Sequence, residues 1–373
     1  MENSKWPIKT LTELCNSVTY GYTESASLEK IGPKFLRITD IASGRLNWDS
    51  VPYCKIKDVD FEKYKLKAGD IVIARTGATT GANYTFKKGD PDNVVYASYL
   101  IKYSINQEIA NPYFVGYVLK SNNWSEYVDA IAGGSAQPGA NAKQLGCFEI
   151  QLPPLPEQKA IASVLSSLDD KIDLLHQQNQ TLEALAETLF RQWFIEEAKE
   201  DWEEGKLGDL IVVKYGKDHK MLLDGNIPVY GSGGLMRRAE KSLYDGESVL
   251  IPRKGSLNNV MYKDEQFWTV DTMFYTEMKI SNVAKFVYYF LKSQDLASMN
   301  VGSAVPSMTT DILNNMPIIT PPSVVLEKFE DTVTPLFVKT KSNQEQIQTL
   351  TQLRNTLLAK LMSGEVRVEM QTD

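Results

Sequence analysis

Long apolar segments are missing from this sequence. No apolar run approaches the roughly 20 residues that a membrane helix needs. The first residues, Met1 to Pro7, contain no apolar stretch of the signal-peptide kind. We therefore expect a cytoplasmic protein that does not contact a membrane.

Cysteine and histidine are scarce. The three cysteines, Cys15, Cys54 and Cys147, lie far apart, and the two histidines are His176 and His219. Three widely spaced cysteines are typical of neither a disulfide framework nor a zinc knuckle. A catalytic zinc centre or a histidine-based triad would need both histidines to be well placed. We predict no metal site and no catalytic residue in this chain.

A surplus of positive charge is also missing. The chain has 40 Lys and Arg against 47 Asp and Glu, which gives a net charge of −7, whereas nucleic-acid-binding domains usually have a basic balance. The net charge does not exclude DNA binding, because phosphate contacts need basic residues on one face only and acidic residues can lie elsewhere. Otherwise the composition, with 43% hydrophobic and 23% charged residues, is typical of globular proteins, and 373 residues suit two or three domains.

An internal repeat of about half the chain length is present. The segment GSAQP at 134–138 returns as GSAVP at 302–306, and Pro153-Pro154 returns as Pro321-Pro322, both 168 residues further along. Upstream, NPYFVGYVLKS from Asn111 is similar to AKFVYYFLKS from Ala284. The chain therefore carries the same arrangement twice, a front of some 140 residues followed by a helical rear.

The two fronts match less closely than the two rears. Residues 69–77, GDIVIARTG, are similar to residues 246–255, GESVLIPRKG, at an offset of 177 or 178 rather than 168. The connecting loops therefore differ in length. Strand-rich fronts followed by helical rears predict an α+β fold.

The rears show the heptad period of coiled-coil helices. In the first rear, apolar residues and one asparagine advance by alternating steps of four and three from Ile161 to Trp193, and the pattern persists 168 residues later with polar interruptions. A single stripe of this kind is typical of a helix that buries one face on its own domain. Two stripes in shared register favour the pairing of the two helices.

A tandem repeat can pair its two apolar stripes around a pseudo-two-fold axis, which makes the helices antiparallel. We call the paired stripes the seam. We hypothesise that Asn179 faces Asn343, because buried asparagine layers commonly fix the register of a coiled coil. The predicted seam consists of Leu165, Leu168, Ile172, Leu175, Asn179, Leu182, Asn343, Ile347, Leu350 and Leu357. In this register Leu165 faces Leu357, Ile172 faces Leu350 and Leu175 faces Ile347.

The sequence resembles the specificity subunits of type I restriction–modification systems over nearly its whole length. LPPLPEQKAIASVLSSLDDKIDLLHQQNQTLEALAETLFRQWF, residues 152–194, is similar to the central conserved region of that family, and residues 321–366 are similar to the distal one. GDIVIARTGATTG, residues 69–81, and PVYGSGG, residues 228–234, resemble segments of its target recognition domains. The second half departs from the pattern, with IPRKGS where the first has IARTGATTG.

The resemblance implies two target recognition domains, 1–152 and 199–320, joined by a central helix at 153–198 and a distal helix with a tail at 321–373. Each domain would read one half of a split, asymmetric sequence in double-stranded DNA. Two modification subunits would carry S-adenosylmethionine and methylate adenine, and a motor-nuclease restriction subunit could complete the complex. The chain itself would hold no cofactor.

Candidate DNA contacts are cationic, amide and hydroxyl residues on glycine-rich loops, where side chains can reach base edges. The candidates are Arg75, Thr76, Thr79 and Gln137 in the first half and Arg237, Arg238, Arg253, Lys254 and Ser256 in the second. Arg237 and Arg238 are predicted to contact phosphates. Tyr20, Tyr22 and Tyr215 could stack on bases or pack internally.

Two patterns imitate catalytic motifs. Asn111-Pro112-Tyr113-Phe114 lacks the second proline of the adenine methyltransferase motif, and no glycine-rich adenosylmethionine loop lies nearby. Asp271 with Glu277 and Lys279 has nuclease-type spacing that a short strand also produces by chance.

Three other functions stay open on the sequence alone. They are a methylation-only system, which depends on partners outside this chain, a self-contained methyltransferase or nuclease, and a coiled-coil scaffold. The bases of a DNA target do not follow from loops of unknown conformation.

Overall fold

The computed structural model describes residues 6–133, 139–299 and 307–368. Its contacts divide the chain into a first unit, Met1–Leu174 with Gln346–Asp373, and a second unit, Leu175–Glu345. Each unit combines a strand-rich domain with segments of two long helices, which confirms the predicted α+β class.

The strands and helices are numbered along the chain. The strands are β1 Ile8–Thr10, β2 Cys15–Tyr20, β3 Lys34–Leu36, β4 Asp70–Ala74, β5 Asn83–Thr85, β6 Val94–Tyr96, β7 Leu100–Ile105, β8 Glu149–Gln151, β9 Glu203–Lys206, β10 Ile211–Tyr215, β11 Ile227–Gly231, β12 Gly234–Ala239, β13 Tyr244–Pro252, β14 Met261–Thr269, β15 Met273–Met278 and β16 Pro317–Thr320. The α-helices are α1 Ile38–Ile41, α2 Asp58–Tyr64, α3 Pro112–Val118, α4 Asn122–Ala132, α5 Ala142–Gly146, α6 Leu155–Arg191, α7 Leu207–Leu210, α8 Ala284–Lys292, α9 Thr310–Asn314 and α10 Ser323–Met362.

The first unit is built on a four-stranded antiparallel sheet with the order β2-β7-β4-β5. Strand β4 is buried along its whole length, as expected for the apolar run Ile71 to Ala74. A second pair, β3 and β6, is parallel, and β1 pairs with β8. Helix α3 begins where Asn111 accepts hydrogen bonds from the backbone of Tyr113 and Phe114, with Pro112 in the first turn.

The second unit repeats this order in its sheet, β10-β15-β13-β14, and extends it with β11 and β12. Strand β11 is parallel to the end of β14, as β3 is parallel to β6 in the first unit. The two units differ between these strands. The first unit has α1 and α2 after β3, whereas the second has the hairpin partner β12 after β11.

The long helices α6 and α10 contribute to the core of each unit. In the first unit, Ile161 and Leu165 of α6 belong to the same buried cluster as Leu358 and Leu361 of α10. In the second unit, Phe190 of α6 lies 6.3 Å from Phe329 of α10, measured between ring centroids. Contacts early in one helix are thus made with residues late in the other, so the helix segments run antiparallel within each unit.

The seam residues predicted from the heptad pattern are buried or half-buried. Asn343 is completely buried and donates a hydrogen bond from Nδ2 to Oδ1 of Asn179 over 2.8 Å. These are the two residues that the sequence hypothesis placed opposite each other.

Over the described ranges, no helix is long and apolar enough to cross a membrane.

Candidate nucleic-acid interface

The end of strand β2 holds an exposed tyrosine beside the sheet in the first unit. Tyr20 is the last residue of β2, and Gly21 follows with its N–H donating to Leu100 O over 3.1 Å. A Cβ on Gly21 would lie 2.2 Å from Ala97 O. Only glycine allows this approach, so the backbone contact fixes where Tyr20 leaves the sheet.

An arginine leaves the sheet next to this tyrosine. Arg75 directly follows β4, and its Nε donates to Ser98 O over 3.1 Å. The guanidinium carbon lies 5.2 Å from the ring centroid of Tyr20 and 5.8 Å from that of Tyr99. The two rings and the carbonyl hold the cation in one orientation without neutralising it.

The second unit repeats this arrangement at the end of β10. Tyr215 ends that strand, and a Cβ on Gly216 would lie 2.0 Å from Val270 O. Arg253 follows β13, with its guanidinium carbon 5.4 Å from the Tyr215 ring centroid and its Nη1 donating to Asp271 O over 3.5 Å. We call Tyr20, Gly21 and Arg75, and likewise Tyr215, Gly216 and Arg253, the two tyrosine–arginine sites.

A tight turn follows the arginine in both sites. Gly77 has a φ of 83° and Gly255 a φ of 86°, which is the left-handed region that favours glycine. Thr76 pairs with Gly139 across an isolated antiparallel bridge, and Lys254 pairs with Ser307 in the same way. Each turn is therefore held against the segment that follows a repeated GSA-containing stretch.

The remaining turn residues among the predicted contacts differ in exposure. Lys254 and Ser256 are exposed, whereas Thr76 and Thr79 are half-buried. Gln137 lies outside the described residues, two positions before the Gly139 that pairs with Thr76. The structure thus brings Arg75 together with Tyr20 and Tyr99, and Arg253 with Tyr215. Thr76 and Lys254 directly follow the two arginines.

Arg237 and Arg238 of strand β12 are bound to the protein's own loop. Arg237 donates from Nη2 to Leu222 O and to a carboxylate oxygen of Asp224, both over 2.9 Å. Arg238 donates from Nη1 to Asn226 O over 2.7 Å and is otherwise exposed. These bonds hold the loop between β10 and β11, so a phosphate contact by Arg237 would compete with Asp224.

A half-buried carboxylate joins the two long helices to helix α3 in the first unit. Asp169 of α6 accepts hydrogen bonds from Tyr117 Oη over 2.8 Å and from Arg354 Nη1 of α10 over 2.7 Å. Burial alone would raise the pKa of Asp169, but the charge of Lys120 and the bonds from Arg354 and Tyr117 outweigh it and lower that pKa. Asp169 is therefore held ionised at the junction of three elements.

A buried ammonium has this role in the second unit. Lys285 of α8, only 4% exposed, bonds Glu247 of β13 over 2.9 Å and also Glu330 of α10. Tyr262 donates to the same Glu247 oxygen. Burial favours a raised pKa for Glu247, yet the bonds from Tyr262 and Lys285 lower it.

Sequence reasoning missed Tyr99, the carbonyls of Ser98 and Asp271, and the two charge centres at the half-buried Asp169 and the buried Lys285. One signal was present. SVTYG at 17–21 and VVKYG at 212–216 share the Tyr-Gly pair that both sites use. The charge centres carry no such signal, because neither Asp169 nor Lys285 recurs at the corresponding position of the other unit, where Phe337 and Tyr113 stand.

The patterns that imitate catalytic motifs have ordinary structural roles. Glu277 forms an ion pair with Lys214 over 3.5 Å, and Lys279 donates to Gly208 O, while Asp271 lies in the turn before β15. No group of three or more His, Cys, Asp or Glu side chains that could hold a metal ion occurs in the described part of the chain.

Comparison with known proteins places the chain in a family. The family described as "Type I restriction modification DNA specificity domain" matches residues 3–184 and 199–358. The chain is 30% identical over 349 residues to the type I restriction enzyme MjaIX specificity subunit of Methanocaldococcus jannaschii, covering 81% of this chain and 76% of that protein. It is 24% identical to the putative MjaX specificity subunit of the same organism, over 98% of this chain and 94% of the relative.

The fold also matches a solved structure, a type I restriction–modification system S subunit from M. genitalium. The TM-score is 0.64 at 18% identity, over 100% of this chain and 98% of the other. The sequence matches carry the assignment, and the structural match supports the fold. The chain therefore belongs to the type I restriction–modification DNA specificity family, and it is a DNA-recognition subunit of such a system rather than an enzyme.

Proposed function

We propose that the chain reads a split, asymmetric sequence in double-stranded DNA, with one half-site for each recognition domain. The observation that carries this proposal is the pair of tyrosine–arginine sites. Each site holds an oriented cation beside an exposed aromatic ring, at the end of the same two strands of an equivalent sheet. Cations and aromatic rings at strand ends, next to glycine turns, suit contact with a DNA duplex.

The two units carry different loops on equivalent sheets, which supports the proposal that they read different half-sites. After the arginine, the first unit has Thr76 where the second has the exposed Lys254, and Ala78 where the second has Ser256. Base edges are distinguished by such changes in hydrogen-bonding groups, since lysine suits guanine and hydroxyls bond to several bases.

The net charge of −7 accords with this proposal if acidic surface contacts protein. We propose that two modification subunits dock on the chain, carry S-adenosylmethionine and methylate adenine in each half-site. A restriction subunit would add cleavage, and the chain would contribute no cofactor of its own. The expected compartment is the cytoplasm, where DNA and these subunits meet.

The long helices are proposed to set the unspecified gap between the half-sites. Helices of 37 and 40 residues extend about 55–60 Å at about 1.5 Å per residue, comparable to one or two turns of DNA. Lengthening both helices by four residues, about one helical turn, should widen the gap by one or a few base pairs. An unchanged gap would contradict the role of the helices as a spacer.

The proposal is tested by mapping adenine methylation across the genome of a host that expresses this chain together with its modification subunit. Each protein expressed alone is the control. We expect a new split motif only when both are present. Methylation by this chain alone, or the absence of a split motif in the presence of both proteins, would overturn the proposal.

A further inference from the structure

The two tyrosine–arginine sites are more alike than the loops around them. In both, the backbone N–H of the arginine donates to a carbonyl in the turn before the neighbouring strand, β7 or β15. Arg75 N donates to Tyr99 O over 3.1 Å, and Arg253 N donates to Thr272 O over 2.9 Å. The arginine carbonyl accepts in both from a residue beyond the GSA-containing stretch, Ala140 N or Met308 N, over 2.9 Å. Both arginine side chains donate to the carbonyl one residue earlier in the same turn, Ser98 O for Arg75 and Asp271 O for Arg253.

Part of each guanidinium has no hydrogen-bond partner among the described residues and is available for a ligand. Within the described ranges, Arg75 makes one side-chain hydrogen bond, through Nε, and Arg253 makes one through Nη1. Both arginines are half-buried, and neither forms an ion pair there. Each therefore presents an oriented cation with unused N–H donors, the arrangement that binds an oxyanion best.

We propose that Arg75 and Arg253 each bind a phosphodiester group of the DNA, independently of base sequence. This inference rests on the proposed function and refines it. If the two domains read different bases, a feature that is identical in both cannot tell those bases apart. The shared sites position the duplex, and discrimination lies in the turn positions that differ, the half-buried Thr76 against the exposed Lys254 and Ala78 against Ser256.

The positions of the side chains in the turn agree with this division between phosphate binding and base reading. Arg75 and Arg253 are tied back to the sheet by a carbonyl and a tyrosine ring, which limits how far they reach into a groove. Lys254 and Ser256 lie one and three residues further along the turn and are exposed. The arginines thus lie at the base of the turn and are tied back, whereas the side chain of Lys254, next to the base, and that of Ser256, beyond the glycine, are exposed.

The test uses the complex of the full chain with its modification subunits. Duplexes carry the motif found by methylation mapping, or one base change in either half-site, and binding is measured by fluorescence anisotropy between about 50 and 200 mM salt, where phosphate contacts dominate the salt dependence. For Arg75→Ala and Arg253→Ala we expect about tenfold weaker binding to every duplex, as for loss of one charge-assisted hydrogen-bonded contact. The order of preference among duplexes should not change, and the slope of log affinity against log salt should fall by about 0.9.

Matched variants separate phosphate binding from base reading. Ser256→Ala, which copies Ala78 of the first unit, should change the preference at one half-site and leave the salt slope unchanged. Arg75→Lys retains the charge and also serves if Arg75→Ala fails to fold. It should bind within about threefold of the wild type with unchanged preference, since lysine binds phosphate as a point charge.

A changed base preference in Arg75→Lys or Arg75→Ala would overturn the proposal, because it would place the guanidinium on a base edge. An unchanged salt slope in Arg75→Ala would overturn it as well. Failure of the proposed function would look different, since the wild-type complex would then prefer no split motif.

Discussion

The first and second units share a sheet order but use opposite charges to join the long helices to neighbouring elements. In the first unit the centre is a carboxylate, Asp169, which collects donors from Tyr117 and Arg354. In the second it is an ammonium, Lys285, which collects carboxylates from Glu247 and Glu330. The repeated frame therefore does not fix the place of the charge centre, because at the repeat offset of 168 the position of Asp169 is taken in the second unit by Phe337, whose ring centroid lies 6.1 Å from that of Tyr289.

The same contrast holds at the strand ends. The tyrosine, glycine and arginine of the tyrosine–arginine sites are the same in both units, whereas the turn residues after them differ. Within this turn the arginine and the glycine are thus shared by the two units, whereas the residues after each of them differ. The same sheet and the same arginine site can therefore carry turns with different side chains.

The largest expected effect is at the buried ammonium. Lys285→Met should lower the free energy of unfolding by about 3 kcal/mol, because it leaves two carboxylates near each other without their buried cation. Urea unfolding of the full chain measures this change. Lys292→Met is the matched control. It removes a lysine paired with the exposed Glu183 and Glu187 and should cost less than about 1 kcal/mol. Equal losses in the two variants would contradict the importance of burial.

Asp169→Asn should lower the free energy of unfolding by about 1–2 kcal/mol, which is less than for Lys285→Met. The amide oxygen still accepts one hydrogen bond, and Arg354 stays partly hydrated. The matched control is Asp170→Asn, one residue along the same helix, whose carboxylate is largely exposed. If the two variants were equally stable, Asp169 would not be the point of attachment.

The pH dependence sharpens the same comparison. The folded-state pKa values of Asp169 and Glu247 are both lowered, so each carboxylate stabilises the fold fully above its unfolded pKa, about 3.9 for Asp and 4.3 for Glu. That stability is lost as the pH falls below these values towards the folded-state pKa. Unfolding free energies measured from pH 6 down to pH 3 should therefore fall less steeply in Asp169→Asn than in the wild type. Parallel curves would contradict this account.

Replacing both seam asparagines is expected to have the smallest effect of the four, and the opposite sign. Asn343 is buried, and its Oδ1 has no hydrogen-bond partner among the described residues. Asn179→Leu with Asn343→Leu should raise the free energy of unfolding by about 1 kcal/mol, because an unsatisfied buried group disappears. Loss of the asparagine layer should also make the number of unspecified base pairs between the two halves of the methylated motif vary, since asparagine layers fix the register of paired helices. A destabilised double variant would contradict this prediction.

The helices and the repeat could be predicted from the sequence because their signals are periodic and local. The heptad steps from Leu165 onward and the offset of 168 need no knowledge of the fold. The roles of Arg237 and Asp169 could not be predicted in this way. Arg237 bonds a loop 13 and 15 residues away, and Asp169 meets Arg354 at a separation of 185 residues. The loop contact of Arg237 depends on how the strands order themselves in the sheet, which the unequal loop lengths of the two fronts obscure. Asp169 lies next to Leu168, which the predicted register places opposite Arg354, but the heptad pattern does not indicate the third partner, Tyr117 of α3.

The most direct test of one half-site per domain exchanges the variable turn residues. One variant carries Lys254→Thr and Ser256→Ala, and the other carries Thr76→Lys and Ala78→Ser, each expressed with the modification subunit. Genome-wide adenine methylation should then show an altered motif in which each variant changes one half and the two variants change opposite halves. Two variants that alter the same half, or that each alter both halves together, would contradict the central claim.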